Sequence, residues 1–224
     1  YDAMLVNAGN FNNKGVELQL TGTPVRTRDF EWNITLNWAK DKSRINELYT
    51  DPNTGEELAS YEIGNQWSTF VQARPGAPWG EIYGTGMLRR ESDNAIIVND
   101  AGRPRTQTNM KLGNVTPDWL GGLRNDFTYK NFGFGFLLDM RKGGDIFSVS
   151  NMFGAYAGLL EYTARDDFRE NGLILGRDFL TDQKFVKITQ LNEADIQNSE
   201  FAENDIVTGA QDFFESYYSN RELS

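Results

Sequence analysis

Apolar and polar side chains alternate without a break from Phe30 to Ala39. Phe30, Trp32, Ile34, Leu36 and Trp38 take one phase, and Glu31, Asn33, Thr35, Asn37 and Ala39 the other. A period of two sustained over this run predicts a β-strand with one apolar face. Its aromatics stand toward both ends and its aliphatics in the middle. A shorter run precedes it: Val16, Leu18 and Leu20 alternate with Glu17, Gln19 and Thr21, predicting a strand over 15–21. Residues 22–29 between them hold Gly22, Pro24 and Asp29, which end strands. A third strand is expected over Leu123–Tyr129, where Leu123, Phe127 and Tyr129 share a face that Asn125 interrupts. A fourth is expected over Phe132–Arg141, with Phe132, Phe134, Phe136, Leu138 and Met140 in phase. Lys130-Asn131 is a two-residue turn joining the last two into a hairpin.

The connections alternate in length. Strands one and two are joined by about eight residues and strands three and four by two. Nearly eighty residues separate the second from the third, and about eighty follow Arg141. Long structureless loops are rare in compact water-soluble domains. Membrane β-barrels put short turns on one side of the bilayer and long loops on the other, and the parity here is the same. From Phe30 to Trp38 a strand rises roughly 26 Å at ~3.3 Å per residue. Tilted by ~40°, that is about 20 Å of height, close to the ~25 Å apolar band of such barrels. An amphipathic strand alone fits a soluble β-sandwich equally well; the connection lengths favour the barrel. Within the long stretches, Glu81–Leu88 and Ala95–Val98 read as strands, with turn clusters at Asp93-Asn94 and Asn99–Gly102. From Asp178 onward apolar residues are sparse and acids frequent, and short helical pieces are expected around Phe201–Val207 and Phe213–Tyr218.

Composition narrows the chemistry. Aromatics make up 13% of the 224 residues, with 22 glycines and only 6 prolines, which suits a turn-rich all-β chain. The net charge of −10 disfavours nucleic acid as a partner, and no Lys/Arg cluster stands out as a basic patch. With no Cys and no His, disulfides, thiolate chemistry, Ser-His-Asp mechanisms and most zinc sites are excluded. No apolar run reaches the ~18–20 residues of a membrane-spanning helix. Tyr1-Asp2-Ala3-Met4 does not open a secretory leader.

Few residues suggest a site. Asp51-Pro52-Asn53-Thr54-Gly55 followed by Glu62 faintly resembles a calcium loop, but the glycine falls one position early, and an ordinary acidic turn is the expectation. Trp67, Trp79 and Tyr83 offer apolar faces that suit stacking on sugar rings; loop packing is the alternative. Glu56-Glu57 and Asp166-Asp167 are sequence neighbours, whereas glycosidase chemistry needs carboxyls facing each other across a bond at ~5–10 Å. No catalytic residue, metal ligand or cofactor is expected.

Several segments resemble the SusC/RagA family of TonB-dependent outer-membrane transporters. Asn7–Leu18 (NAGNFNNKGVEL) is similar to the family's strand entry, and Thr23-Pro24-Val25 follows as its turn does. Leu112–Leu123 (LGNVTPDWLGGL) resembles a second family segment. Tyr129–Phe132 and Asp139–Ser148 (DMRKGGDIFS) resemble the hairpin after it. The ordered set spans residues 7–160. The resemblance implies an all-β fold, part of a large antiparallel transmembrane β-barrel of about 22 strands with long extracellular loops. It implies outer-membrane import of oligosaccharides or peptides, energised through TonB, with a SusD-type surface lipoprotein as lid. On this reading residues 1–224 belong to the barrel domain, without its plug and final strands. Outer-membrane lipid meets one face, and Asp139 and Arg141 line the pore or pair with a plug, the alternative being structural ion pairs with neighbouring strands. The chain is then a transporter component and not an enzyme. The alternatives are a soluble carbohydrate- or protein-binding β-sandwich and a glycoside hydrolase fragment.

Overall fold

A computed structural model describes residues 9–178 and 183–218. Its strands, in chain order, are β1 (Asn10–Arg26), β2 (Phe30–Glu47), β3 (Tyr61–Gln66), β4 (Thr69–Ala73), β5 (Glu81–Met87), β6 (Ile96–Val98) and β7 (Thr106–Asn114). Then come β8 (Trp119–Tyr129), β9 (Phe132–Lys142), β10 (Leu173–Ile174), β11 (Phe185–Gln190), β12 (Glu200–Glu203) and β13 (Val207–Thr208). The helices are α1 (Val149–Tyr156), α2 (Phe168–Asn171) and α3 (Ala210–Tyr218). The described chain is mostly β, and it forms two compact units. One takes residues up to 64, 71–81 and 113–145; the other takes 65–70, 82–112 and the chain from 146 on.

The first unit is built on an open antiparallel sheet in the order β1-β2-β8-β9. The four strands expected from alternation are all present. β1 and β2 are longer than the alternation suggested, at 17 and 18 residues, and the connection between them shrinks to Thr27-Arg28-Asp29. Thr27 closes this turn, its hydroxyl accepting from the Phe30 amide at 3.0 Å. Lys130, at φ 52°, occupies the left-handed conformation that a two-residue hairpin turn requires. β2 and β8 pair although about seventy residues separate them in the chain, so the sheet is a meander interrupted by one long excursion.

The second unit has its own apolar core. Ile96 and Val98 of β6 sit with Phe168, Leu173, Leu175, Phe185 and Phe213. β6 comes from the first long stretch and β11 from the second, and they pair in parallel, Ile96 opposite Phe185 and Val98 opposite Lys187. The expected strand at Ala95–Val98 is therefore real, but its partner lies some ninety residues on. α1 is capped by Ser148, whose Oγ accepts from the Asn151 amide at 3.2 Å. Around Phe201 the backbone is strand, not helix, and the helix follows at α3.

Candidate functional site

Pairing register turns four amphipathic strands into one two-faced wall. On one face the rows run Leu20-Leu36-Leu123-Leu138, then Val25-Trp32-Phe127-Phe134, then Phe30-Tyr129-Phe132 toward the short turns. Toward the other end the row is Leu18-Trp38-Gly121-Met140. The Trp119 ring lies over Gly121, where a Cβ would sit 3.0 Å from it, so an indole fills this level too. The leucine row thus lies between levels that carry aromatic rings. Near the short turns the rings stack, Trp32 on Phe127 at 5.7 Å and Phe127 on Phe134 at 6.3 Å.

This face is bare. Val16, Leu18, Leu20 and Val25 on β1, Tyr129 on β8, and Phe132, Phe134, Phe136, Leu138 and Met140 on β9 are all exposed, Phe132 at 78%. Each large apolar side chain left in water forgoes about 1.5–3 kcal/mol of burial. An apolar surface of this extent marks an interaction with a membrane or with another protein.

Asn125, the residue that broke the apolar phase, is 5% exposed in the middle of this face. Its Oδ1 accepts from the Trp32 indole at 3.1 Å. The interruption supplies the one acceptor that an indole N–H buried among aromatics needs.

The opposite face is mainly polar. Its rows include Gln19-Asn37-Gly122-Asp139 and Thr21-Thr35-Arg124-Leu137. Arg124 grips Asp126 with two nitrogens at 2.8 and 3.1 Å, and Arg26 pairs with Glu31 at 3.0 Å. A shallow hollow of about 760 Å³ opens beside Gly122. A Cβ there would lie 3.6 Å from the Asp139 carboxylate and 4.0 Å from the Asn37 amide. Asp139 and Arg141 both line this hollow, as their shared phase implied. They are not paired with each other: Arg141 donates to the Val115 carbonyl at 2.8 Å.

That contact is part of a clasp joining two of the segments singled out in the sequence, Leu112–Leu123 and Asp139–Ser148. Asp145 accepts from the Asn114 amide at 2.8 Å and its own amide donates to Asn114 O at 2.7 Å. The Asp118 amide donates to Lys142 O at 2.8 Å. The clasp's glycines leave no room for a side chain. Gly144 adopts φ 84° with Val115 O 3.0 Å from where a Cβ would stand, and a Cβ on Gly113 would strike the Asp145 carboxylate. Nothing in the spacing of these motifs announced that they meet.

The three aromatic candidates divide between the units. Trp79 belongs to the first unit; its ring meets Phe11 edge-on at 5.9 Å and its amide donates to Ser43 Oγ at 2.9 Å. Trp67 and Tyr83 belong to the second. Trp67 is 60% exposed at a strained φ of 56° and meets Phe153 edge-on at 5.3 Å, whereas Tyr83 is half-buried on β5. The Asp51 segment is an Asx turn. Asp51 Oδ1 accepts from the Asn53 amide at 2.8 Å, Gly55 takes φ 72°, and Glu57 accepts from the Leu48 amide at 2.6 Å. Among the described residues no group of three or more acidic side chains is gathered to hold a metal. Asp166 and Asp167 border a hollow of about 320 Å³ together with Arg177 and Asp178. Of these, Asp178 is held below the usual carboxylate range by the Arg177 guanidinium beside it.

A long-stranded antiparallel wall, apolar on one side and polar on the other, defines the class: an open β-sheet of the kind that closes into barrels. No protein-family model matches the chain. It is 27% identical over 163 residues to the TonB-dependent receptor P26 of Formosa agariphila, and 23% identical over 165 residues to the TonB-dependent receptor P3 of the same organism. Each match covers 66% of this chain and 16% of the receptor. It is 29% identical over 147 residues to the TonB-dependent receptor SusC of Bacteroides thetaiotaomicron, covering 60% of this chain and 14% of SusC. Among solved structures it resembles the RagAB peptide transporter with a TM-score of 0.47 and 19% identity, over 66% of this chain and 17% of that one. Over the matched part the chain is similar to TonB-dependent receptors, SusC among them, in line with the resemblance of its motifs. It spans about one-sixth of the length of the curated relatives it matches.

Proposed function

We propose that this chain forms part of the barrel wall of an outer-membrane importer, and that its activity is transport and not catalysis. The observation that carries this reading is the bare apolar face, with a leucine row between rows that carry aromatics, on a sheet whose other face is mainly polar. A soluble sandwich needs a second sheet over such a face. In a bilayer the face is already solvated, and the aromatic rows stand where the headgroups begin. Among the described residues β1 and β9 are the edges of this sheet, so further strands are needed to close a barrel at both sides. The family count of about 22 strands is the expected closure.

In this arrangement the polar face lines the lumen, with Asp139 and Arg141 at its surface. The two long stretches leave the sheet from the end opposite the short turns and stand outside the cell. Residues 1–224 then belong to one barrel domain, with the second unit folded from its extracellular segments. Trp67, Trp79 and Tyr83 are the candidates for substrate contact. The substrate is an oligosaccharide or a peptide, the lid is a SusD-type lipoprotein, and energy arrives through TonB. The test is sidedness in cells making the full-length receptor. Cysteines at Asn53 and Asn99 should react with a membrane-impermeant maleimide added outside. Labelling only after the outer membrane is opened inverts the topology and removes this function.

A further inference from the structure

Along the sequence no basic cluster stands out, because Lys40, Lys42 and Arg44 are interleaved with Asp41, Ser43 and Ile45. The strand separates them. Lys40, Lys42 and Arg44 continue the phase of Leu36 and Trp38 and so point to the apolar side. The other phase turns away from it: Ile45 is buried, and Ser43 Oγ accepts from Trp79. Register adds two more cations to the apolar side. Lys14 stands opposite Lys42, two residues past Val16, and Lys142 stands two residues past Met140. All five side chains are exposed. They lie immediately beyond the Trp38 level, on the end away from the short turns.

Lys14 and Lys42 face each other directly across β1 and β2. Like charges at that position weaken a strand pair. An anion seated between them reverses the sign of the interaction.

We propose that this basic strip binds the phosphate of anionic lipid headgroups in the leaflet on the long-stretch side. The inference rests on the membrane reading above. Charge complementarity and continuity with the apolar band select this occupant. A lipid whose tails lie against Leu36 and Leu138 carries its phosphate to the height of Lys40 and Lys42. Lysine stems reach along apolar surface while their ammonium groups stay at the interface.

The test uses the full-length receptor in nanodiscs of phosphatidylcholine, with and without phosphatidylglycerol, and native mass spectrometry to count the anionic lipid retained on the protein. Wild type should enrich phosphatidylglycerol. The double variant Lys40→Gln/Lys42→Gln should lose retention by about fivefold for each lysine removed. Arg28→Gln/Lys130→Gln, at the short-turn end, should leave retention on this strip unchanged. Inorganic phosphate should not displace the lipid. Should the double variant misfold, Lys42→Gln alone decides. In pure phosphatidylcholine it should be no less stable than wild type, and with phosphatidylglycerol its retention should fall. Equal retention in wild type and variants, or complete displacement by inorganic phosphate, overturns the proposal. A receptor that inserts but shows no lipid preference sinks this inference alone, whereas one that does not insert sinks the membrane reading.

Discussion

Leu36 and Asn37 are neighbours in sequence on opposite faces of β2, and replacing each by arginine separates the two faces energetically. Leu36 stands in the row Leu20-Leu36-Leu123-Leu138, between the Trp32 and Trp38 levels. At ~3.3 Å per residue it is roughly 7 Å along the strand from Trp38 and 13 Å from Trp32, near the middle of the apolar band. A guanidinium there meets hydrocarbon, and Leu36→Arg should destabilise the barrel by roughly 2–4 kcal/mol. Asn37→Arg projects over Gly122, which has no side chain, toward the Asp139 carboxylate. Its effect should stay within about 1 kcal/mol, the range of a cross-strand charge pair. The assay is reversible unfolding of the full-length receptor in lipid vesicles by guanidinium chloride, with each midpoint converted through a common slope. Equal losses at the two positions, or a larger loss at Asn37, would refute the assignment of faces.

Three further outcomes follow from named contacts. In a double-mutant cycle, Trp32→Phe and Asn125→Leu should couple by roughly 0.5–1.5 kcal/mol, the net worth of one hydrogen bond, and additive effects would mean the indole bond is absent. Gly144→Ala should raise proteolysis around residues 113–118 and 143–145, because it strains a left-handed residue and crowds Val115 O; Gly133→Ala, with open space around it, should not. The Arg90 guanidinium holds Asp93 down from 3.8 to about 2. A carboxyl depressed on folding stabilises above its unfolded value, so the Arg90–Asp93 contribution is complete above about pH 4 and vanishes as pH falls toward 2. Hydrogen exchange at Ala95 and Asn94 should accelerate over that window, and Arg90→Gln should abolish the change.

The strands were legible where alternation was strong. Phe30–Trp38 and Phe132–Met140 each carry five apolar residues in phase, and the structure has strands there. The outer halves of β1 and β2 were not legible, because Asn10–Lys14 holds a single apolar residue, Phe11, and Lys40–Arg44 holds none, so only pairing shows which side each takes. The basic strip was hidden for the same reason. Asn125 looked like a defect in the pattern and is a hydrogen-bond acceptor, a role that only the cross-strand position of Trp32 defines. The second unit's core escaped because the strands that build it, β6, β10 and β11, are only two to six residues long and its central pairing, β6 with β11, is parallel and distant in sequence. Too few residues per segment reveal a period, and no turn links the partners.

The central claim is that one face of this wall meets lipid and the other meets water. Single cysteines at positions 34 through 38 and 136 through 140 of the full-length receptor, spin-labelled in bilayers, read this directly through accessibility to lipid-soluble oxygen and to a water-soluble nickel chelate. The account predicts oxygen access peaking at Ile34, Leu36, Trp38, Phe136, Leu138 and Met140, with the chelate favouring Thr35, Asn37, Leu137 and Asp139. A flat profile, or one with the phases exchanged, would contradict it.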